Sequence, residues 1–467
     1  MDMFSELTDA LIITIISFLP FEEAARTSVL SRRWRGLWRS TANIEFDERF
    51  FVRDNVPVET QRVQRLEFIN FIRCWPHEDT AELVLRRFRL RMSKPREFES
   101  DVQMCISFAI SRDVGALELD FSDPTWDEND MENHEPEFHL PMQIGMPPLE
   151  SLTLFACSFN PALLINLRSL KHVSFGWIAV RMSTLNDLLR NSTCLESLRL
   201  KKCWNLEHLS IFERDLALKT LVIDNCNFHR ECFAVEAPNL RSFKYSGSVG
   251  NFELLFTRHL EEAELDFGSE SEFDESGGEL LQTLLSSLDC ARVLKVYIKC
   301  LRNYDHVHQV VPTGEEPLRM QSPLNVRHLI LNTALHRDEY WGIAFFLKSC
   351  PFLETLTLQM SPPRIFPDYQ PPFQFDPSRF WSGNIERLYR CVLRTLKVVE
   401  VKGFQGTVNE TRLLRYLLYN GRAMQELKLY LSNEADGHGG DRSVYFQRAV
   451  FVMGFPKASP NAHVMII

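Results

Sequence analysis

Apolar side chains recur along this chain with two different spacings. Over the first 45 residues the spacing is helical: Leu7, Leu11, Ile12, Ile15, Ile16 and Leu19 fall on one helix face. Pro20 stops that helix and disfavours helical backbone at Leu19. A second short helix is predicted from Glu22-Glu23, whose carboxylates suit a helix N-terminus. A third is predicted after Ser31, with Trp34, Leu37 and Trp38 sharing a face with Leu30. Three helices this short bury little of their own apolar surface, so exposed leucine and tryptophan side chains imply a partner.

From about residue 110 the spacing changes to L-x-x-L-x-L. Instances begin at Val114, Leu149, Leu170, Leu195, Leu218 and Leu240, then at Leu260, Val293, Val326, Leu353, Leu396 and Met424. At 45% apolar residues, three fixed positions match by chance in roughly 9% of windows, so one hit decides nothing. The set has further order. Intervening positions are mostly polar, and starts between residues 149 and 260 are 20 to 25 residues apart. Cysteine falls eight residues after the opening leucine at Cys157, Cys203 and Cys226. That is the leucine-rich-repeat signature, in which a small side chain sits inside the coil, so these cysteines are read as structural. Each repeat supplies one short strand to a parallel sheet, and stacked repeats leave a long surface for macromolecules.

Between the two patterns lies a mixed stretch with a basic run, Arg86 to Arg96. Val84, Phe88, Leu90 and Met92 alternate there and predict a strand with an exposed basic face. Longer separations mark insertions; two of them, 120–137 and 270–279, are acidic and read as solvated loops. The stretch Ser361 to Gly383 interleaves prolines with aromatics. Proline keeps it out of helix and central sheet, so a stiffened loop is expected. Phe366, Tyr369, Phe373 and Phe375 are its candidate target-binding residues; the other reading packs its aromatics on the chain's terminal cap.

Charge narrows the classes of partner. The 467-residue chain carries a formal charge of -10, which argues against a broad nucleic-acid footprint. Yet Ala24 to Ile44 holds no acid and five arginines, Arg26, Arg32, Arg33, Arg35 and Arg39, so its partner is expected to be acidic. A private core against the following chain, or a DNA-reading helix-turn-helix, fits the same helix spacing. The apolar run Leu11 to Phe21 follows acids rather than bases and is too short to cross a bilayer, so no membrane role is expected. Eleven cysteines show no CxxC pair and no zinc spacing; reduced thiols, no metal, no cofactor and a cytoplasmic or nuclear location are expected. No nucleophile elbow, zinc-protease or phosphate-loop motif is present, and Asp305, His306 and His308 read as surface residues. The chain is not read as an enzyme.

The run Leu7-Thr8-Asp9-Ala10-Leu11-Ile12, then Ile15 to Pro20, then Glu23 to Trp38 with its Ser31-Arg32-Arg33-Trp34 core, resembles the F-box of plant F-box/leucine-rich-repeat proteins. Thr8 departs from that pattern, which has proline there; threonine is itself a fair cap. The resemblance implies docking to a Skp1-like adaptor, and through it to a cullin and a RING protein. Its docking residues here are Leu7, Leu11, Ile12, Ile15, Leu19 and Pro20, with Val29, Leu30, Arg33, Trp34, Leu37 and Trp38. Leu396 to Gly406, followed by Glu410, Leu413, Tyr416 to Leu418 and Leu427 to Leu429, resembles the FBD region of such proteins. Its residues read as strand, glycine turn, amphipathic helix and strand, and as a terminal cap.

The expected architecture is α/β. A three-helix F-box (1–45) precedes a linker and first repeat segment (46–109), leucine-rich repeats with insertions forming a curved solenoid (110–384), and an FBD-like cap (385–467). The function this implies is substrate recognition for a Skp1–cullin–F-box ubiquitin ligase, binding a target protein through the repeat surface. Two alternatives are a repeat scaffold not coupled to degradation and a small-ligand sensor. No Lys/Arg cluster of the kind that binds a polyphosphate supports the last.

Overall fold

The computed structural model describes residues 6–74, 85–126, 136–140, 149–162, 167–212, 216–229, 232–248, 250–255, 259–267, 277–297, 320, 322–361, 376–381, 388–434 and 440–467. The chain forms two compact units. One holds Met1–Glu207, Asp215–Leu218 and Cys226–His229; the other holds His208–Arg214, Lys219–Asn225 and Arg230–Ile467.

The first unit opens with helices α1 (Asp9–Ile16), α2 (Phe21–Arg26) and α3 (Trp34–Leu37). Thr8 caps α1, its hydroxyl accepting from the Leu11 N–H at 3.4 Å. The Ser31 hydroxyl accepts from the Trp34 N–H at 3.4 Å, but Arg33 and not Ser31 stands at the N-cap of α3. Pro20 sits immediately before α2, and Glu22 and Glu23 occupy the first turn of α2 as expected. Ile12, Ile16, Ala24, Trp34 and Trp38 are buried. Leu30 does not join Trp34 and Trp38 on their face; it is 64% exposed. Asn43 Nδ2 donates to the Ser17 carbonyl at 2.9 Å, fixing the end of α1 to the strand that follows.

That strand, β1 (Asn43–Asp47), begins a six-stranded parallel ladder. Its other members are β2 (Arg87–Arg91), β3 (Ala116–Asp120), β4 (Ser151–Phe155), β5 (His172–Gly176) and β6 (Ser197–Lys201). Pairing is in register throughout, for example Glu45↔Arg89↔Glu118↔Thr153↔Ser174↔Arg199. Helices α4 (Val58–Arg73), α5 (Glu99–Ser111) and α6 (Met182–Asn191) lie between strands in sequence. The ladder starts before residue 110: β1 and β2 precede the first repeat found by pattern. Leu85, Phe88 and Leu90 are buried in the same L-x-x-L-x-L phase, and the strand read from alternation is β2.

Among the described residues the second unit carries nine parallel strands of the ladder. These are β7 (Thr220–Asp224), β8 (Ser242–Ser246), β9 (Glu262–Asp266), β10 (Val293–Tyr297), β11 (His328–Thr333), β12 (Thr355–Met360), β13 (Val398–Phe404), β14 (Glu426–Leu431) and β15 (His463–Ile466). Its helices are α7 (Gly277–Ser287), α8 (Tyr340–Ser349), α9 (Arg390–Arg394), α10 (Val408–Asn420) and α11 (Arg442–Met453). Three short strands, Leu209–Ile211, Cys232–Glu236 and Asn251–Leu255, make a second parallel sheet. One repeat is two residues out of phase with the pattern: β10 buries Leu294 and Val296, so its opening residue is the buried Ala291, not Val293. Both phases offer apolar side chains, and alanine is a weak marker.

The turns after β4, β5, β6 and β7 share a geometry. Ala156, Trp177 and Lys202 take left-handed backbone, with φ of 57°, 51° and 51°, and Asn225 takes 47°. Non-glycine residues adopt this region only when their surroundings impose it. Cys157, Cys203 and Cys226 are the residues that follow three of these turns. Cys157 and Cys203 are fully buried, and the Cys203 thiol donates to the Phe175 carbonyl at 3.5 Å. Burial pushes both thiols well above the ordinary range.

Candidate partner-docking site

The N-terminal module divides its apolar residues between two jobs. Ile12, Trp34 and Trp38 face inward, and Leu37 is half-buried. Trp38 packs edge-on against Phe21 at 5.7 Å, and its indole N–H donates to the Arg35 carbonyl at 3.1 Å. Leu11 and Ile15 lie on the exposed face of α1. Leu19 and Pro20 are exposed at the corner into α2, and Leu7 is half-buried. Val29 and Leu30 project from the turn after α2, Val29 with 84% of its surface exposed. Phe18, 79% exposed, joins this exposed set and was not anticipated, because it lies off the helical face that the spacing marks.

A chain does not gain by leaving six large apolar side chains in water; contiguous exposed apolar surface marks an interaction site. Basic groups stand beside it. Arg32, Arg33, Arg35 and Arg39 are all exposed. Arg33 is also structural: it donates to Asp9 Oδ1 at 2.7 Å and to the Leu7 carbonyl, holding the start of α1 to the Ser31–Trp34 turn. Arg26 pairs within α2 with Glu22 at 2.5 Å and Glu23 at 2.7 Å.

The basic run in β2 is neutralised by its neighbours. Arg89 lies between Glu45 of β1 at 2.8 Å and Glu118 of β3 at 2.9 Å. Arg91 meets Asp120 at 2.8 Å and Asp47 at 3.7 Å, and Arg87 meets Glu118 at 2.6 Å. Three arginines ranked between two acidic strands give a salt-bridge lattice and no cationic track. Beneath it, Arg65 on α4 reaches Glu48 at 3.1 Å and Ser93 at 2.9 Å, all three buried.

In the second unit the outward positions of the ladder carry mixed charge. Glu264 on β9 binds Lys244 of β8 at 2.9 Å and Lys295 of β10 at 2.7 Å. Burial raises its carboxyl, but the two lysines outweigh that and hold it below the ordinary range. Asp224, Asp266 and Tyr297 border the same hollow, about 330 Å³ in volume. Such a surface offers directional polar contacts. Among the described residues no group of three metal-ligating side chains converges, and no helix is long and apolar enough to cross a membrane.

Of the proline-aromatic stretch, Phe366, Tyr369, Phe373 and Phe375 lie outside the described residues. Phe380 and Trp381 are described and buried. Phe380 packs on Tyr340 at 5.2 Å and on Trp341 at 4.8 Å; Trp381 meets Tyr416 at 5.5 Å. Trp381 packs on Tyr416 of the cap, as the packing reading has it, and Phe380 packs on α8.

Comparison with known proteins adds to this geometry. Residues 4–45 match the family model of the F-box domain, and residues 142–446 match the model described as "At1g61320/AtMIF1, LRR domain". F-box protein At3g62230 of Arabidopsis thaliana is 36% identical over 433 residues, covering 92% of this chain and 91% of that protein. A second Arabidopsis thaliana relative, At5g54820, is named in the F-box/LRR-repeat class and is 34% identical over 92% of each chain. A third from the same plant, At1g61330, is named in the FBD-associated F-box class and is 24% identical over 94% of each.

Proposed function

Since this chain belongs to the F-box/leucine-rich-repeat proteins, whose architecture supports a substrate-adaptor role in general, we propose that it binds a Skp1-like adaptor through its N-terminal module and a target protein through its repeats. The observation that carries the reading is the exposed set Leu11, Ile15, Phe18, Leu19, Val29 and Leu30 beside unburied arginines. Buried Trp34, Trp38 and Ile12 support that set from behind. Docking there joins the chain to a cullin and a RING protein, which bring the ubiquitin donor. The chain itself contributes proximity: it raises the target's effective concentration beside that donor. No catalytic group is assigned to it.

The target engages the outward ladder positions, where paired ions such as Glu264 with its two lysines give registration. Phe366, Tyr369, Phe373 and Phe375 remain candidate contributors. A cytoplasmic or nuclear location is part of the proposal and rests on the cysteine pattern of the sequence.

The test is a trap. The chain lacking residues 1–45 is expressed as a proximity-labelling bait, beside the full chain. Proteins enriched by the trap and stabilised when the full chain is removed are the expected result. Captured proteins whose abundance ignores the full chain would instead favour a scaffold uncoupled from degradation.

A further inference from the structure

The end of the second unit departs from what a soluble solenoid requires. A terminal repeat turns a polar face to water. Here α11 exposes Phe446, Val450 and Met453 at i, i+4 and i+7 along its crest. Phe451, on the side of α11 toward α10, is 61% exposed, and Val408 at the start of α10 is 63% exposed. Exposed apolar side chains gathered on one helix and its neighbour mark an interaction surface.

This face includes a groove of about 410 Å³ between the two helices. Its α10 side is Val408 and Thr411; its α11 side is Val444, Gln447, Arg448 and Phe451. The walls are fixed in advance, so ordering them costs an incoming segment little. Arg448 donates to the Gln405 carbonyl at 2.8 Å, tying α11 to the start of α10. Phe451 packs edge-on against Phe455 at 5.2 Å, and Arg415 of α10 lies over the Phe455 ring at 4.6 Å.

The charge of the surface is one-sided. In a chain of formal charge -10, α10 and α11 carry Arg412, Arg415, Arg442 and Arg448 and one acid, Glu410, which is fully buried. No carboxylate lines the groove. Asp441, at the N-cap of α11, is occupied by the Val444 N–H at 2.9 Å. Arg415 and Arg448 make the contacts given above and, among the described residues, no ion pair.

These features choose the occupant. A second copy meeting this face through a two-fold contact would set the same arginines on both sides, with no acid to answer them. A lipid surface would cover the crest of α11 and leave the groove beside it unfilled. A small ligand in the groove would leave Phe446, Val450 and Met453 in water. A protein segment fills the groove with one side chain, covers the crest and brings its own acids.

We propose that the groove between α10 and α11 docks an acidic segment of a partner protein, which seats a large apolar side chain between Val408 and Phe451 and carboxylates against Arg415 and Arg448. The surface shares no residue with the N-terminal docking set, so this reading and adaptor docking stand or fall separately.

The test pans the purified, immobilised full chain against a random peptide library, beside its Phe451→Ser, Val408→Ser and Arg415→Glu forms. All three positions are exposed, so melting temperatures should match the parent. If Phe451→Ser melts early, the other two carry the comparison. Peptides kept by the parent are expected to join Phe, Leu or Trp to neighbouring Asp or Glu. Their affinity, read by fluorescence anisotropy, should fall at least about tenfold in each variant. Replacing their acids by Asn and Gln should weaken binding to the parent by at least about tenfold. Retained peptides that lack acids, or that bind all three variants as they bind the parent, overturn the proposal, as does retention of no peptide. It is also overturned if the parent, but not Phe451→Ser, self-associates in sedimentation or floats with phosphatidylserine vesicles; a second copy or a membrane is then the occupant.

Discussion

Arg33 and Asp9 are 24 residues apart in sequence, and their side chains meet at 2.7 Å, with Arg33 also holding the Leu7 carbonyl. One guanidinium thereby closes the N-terminal module on itself while part of its surface stays in water. Arg33→Ala should loosen α1 without unfolding the repeats. The pair is exposed, so the local cost is about 1 kcal/mol or less. Hydrogen exchange of the α1 amides should rise a few-fold while exchange in the repeat strands stays fixed. Unchanged α1 protection would mean that Arg33 serves only the partner.

Gly406 is needed where it stands. Its φ is +70°, and a Cβ there would lie 2.5 Å from Cβ of Arg448. Gly406→Ala should lower stability by roughly 1–3 kcal/mol, through strain and overpacking. Gly36, in α3, offers the control: a Cβ there meets nothing within 4 Å. Gly36→Ala should be neutral or stabilising by up to about 1 kcal/mol. Denaturant midpoints for the two variants, moving in opposite directions, check the assignment.

Glu410 shows how a buried carboxyl is tolerated at a helix start. It accepts from the Thr407 N–H at 2.6 Å and the Gln405 N–H at 3.3 Å, while Thr407 accepts from its N–H at 3.3 Å. Burial pushes its carboxyl up, and those hydrogen bonds only partly offset the push. A raised folded value means that the group contributes most below its unfolded range and loses that contribution as pH rises through the folded value. Glu410→Gln keeps the capping box and removes the charge, so it should match or exceed the parent at pH 7 and flatten the acid-side rise in stability. Glu410→Ala should cost about 1–3 kcal/mol. Urea melts across the pH range distinguish the variants.

His328 gives the opposite pH dependence. Burial lowers its imidazole; Glu400 draws it up and Lys402 pushes it down again. Its Nε2 lies 2.9 Å from Thr357 Oγ1. A depressed folded value contributes stability above the unfolded range, near pH 6.5, that is lost as pH falls through the folded value. The parent should therefore weaken on acidification below about pH 6.5, and His328→Gln should show a shallower loss. A variant with the same slope would assign the acid sensitivity to other groups.

Much of this was legible in the sequence, for identifiable reasons. The N-terminal helices announce themselves by stops and caps: Pro20 before α2 and Thr8 at the start of α1, whereas α3 starts after Arg33, two residues beyond the expected cap Ser31. Repeats with even spacing were legible because Leu149, Leu170 and Leu195 lie fully buried in one phase. What failed was phase and distance. At β10 the small Ala291 hid the true opening residue behind Val293. At β1 the corresponding position is Thr41, buried but polar, which hid that repeat, while at β2 Leu85, Phe88 and Leu90 fit the pattern and were read only as an alternating strand. The arginines of β2 looked like an exposed basic face because their acidic partners come from strands 29 to 44 residues away. The split of the module into inward Trp34 and Trp38 and outward Leu11, Val29 and Leu30 also needed coordinates, since all five are apolar at helical spacing.

That split supplies the most direct test of adaptor docking. Trp38→Ala should lower the melting temperature, because it empties a buried site at roughly 3–5 kcal/mol. Leu11→Asp combined with Val29→Asp should leave the melting temperature in place, because both side chains already face water. Co-purification of the full chain with a Skp1-like adaptor is the measurement. Burying an unpaired carboxylate in the interface costs roughly 2–5 kcal/mol, so recovery of the adaptor should fall at least about 30-fold in the double variant. Adaptor retained at the parent level by a folded double variant would contradict docking through this face.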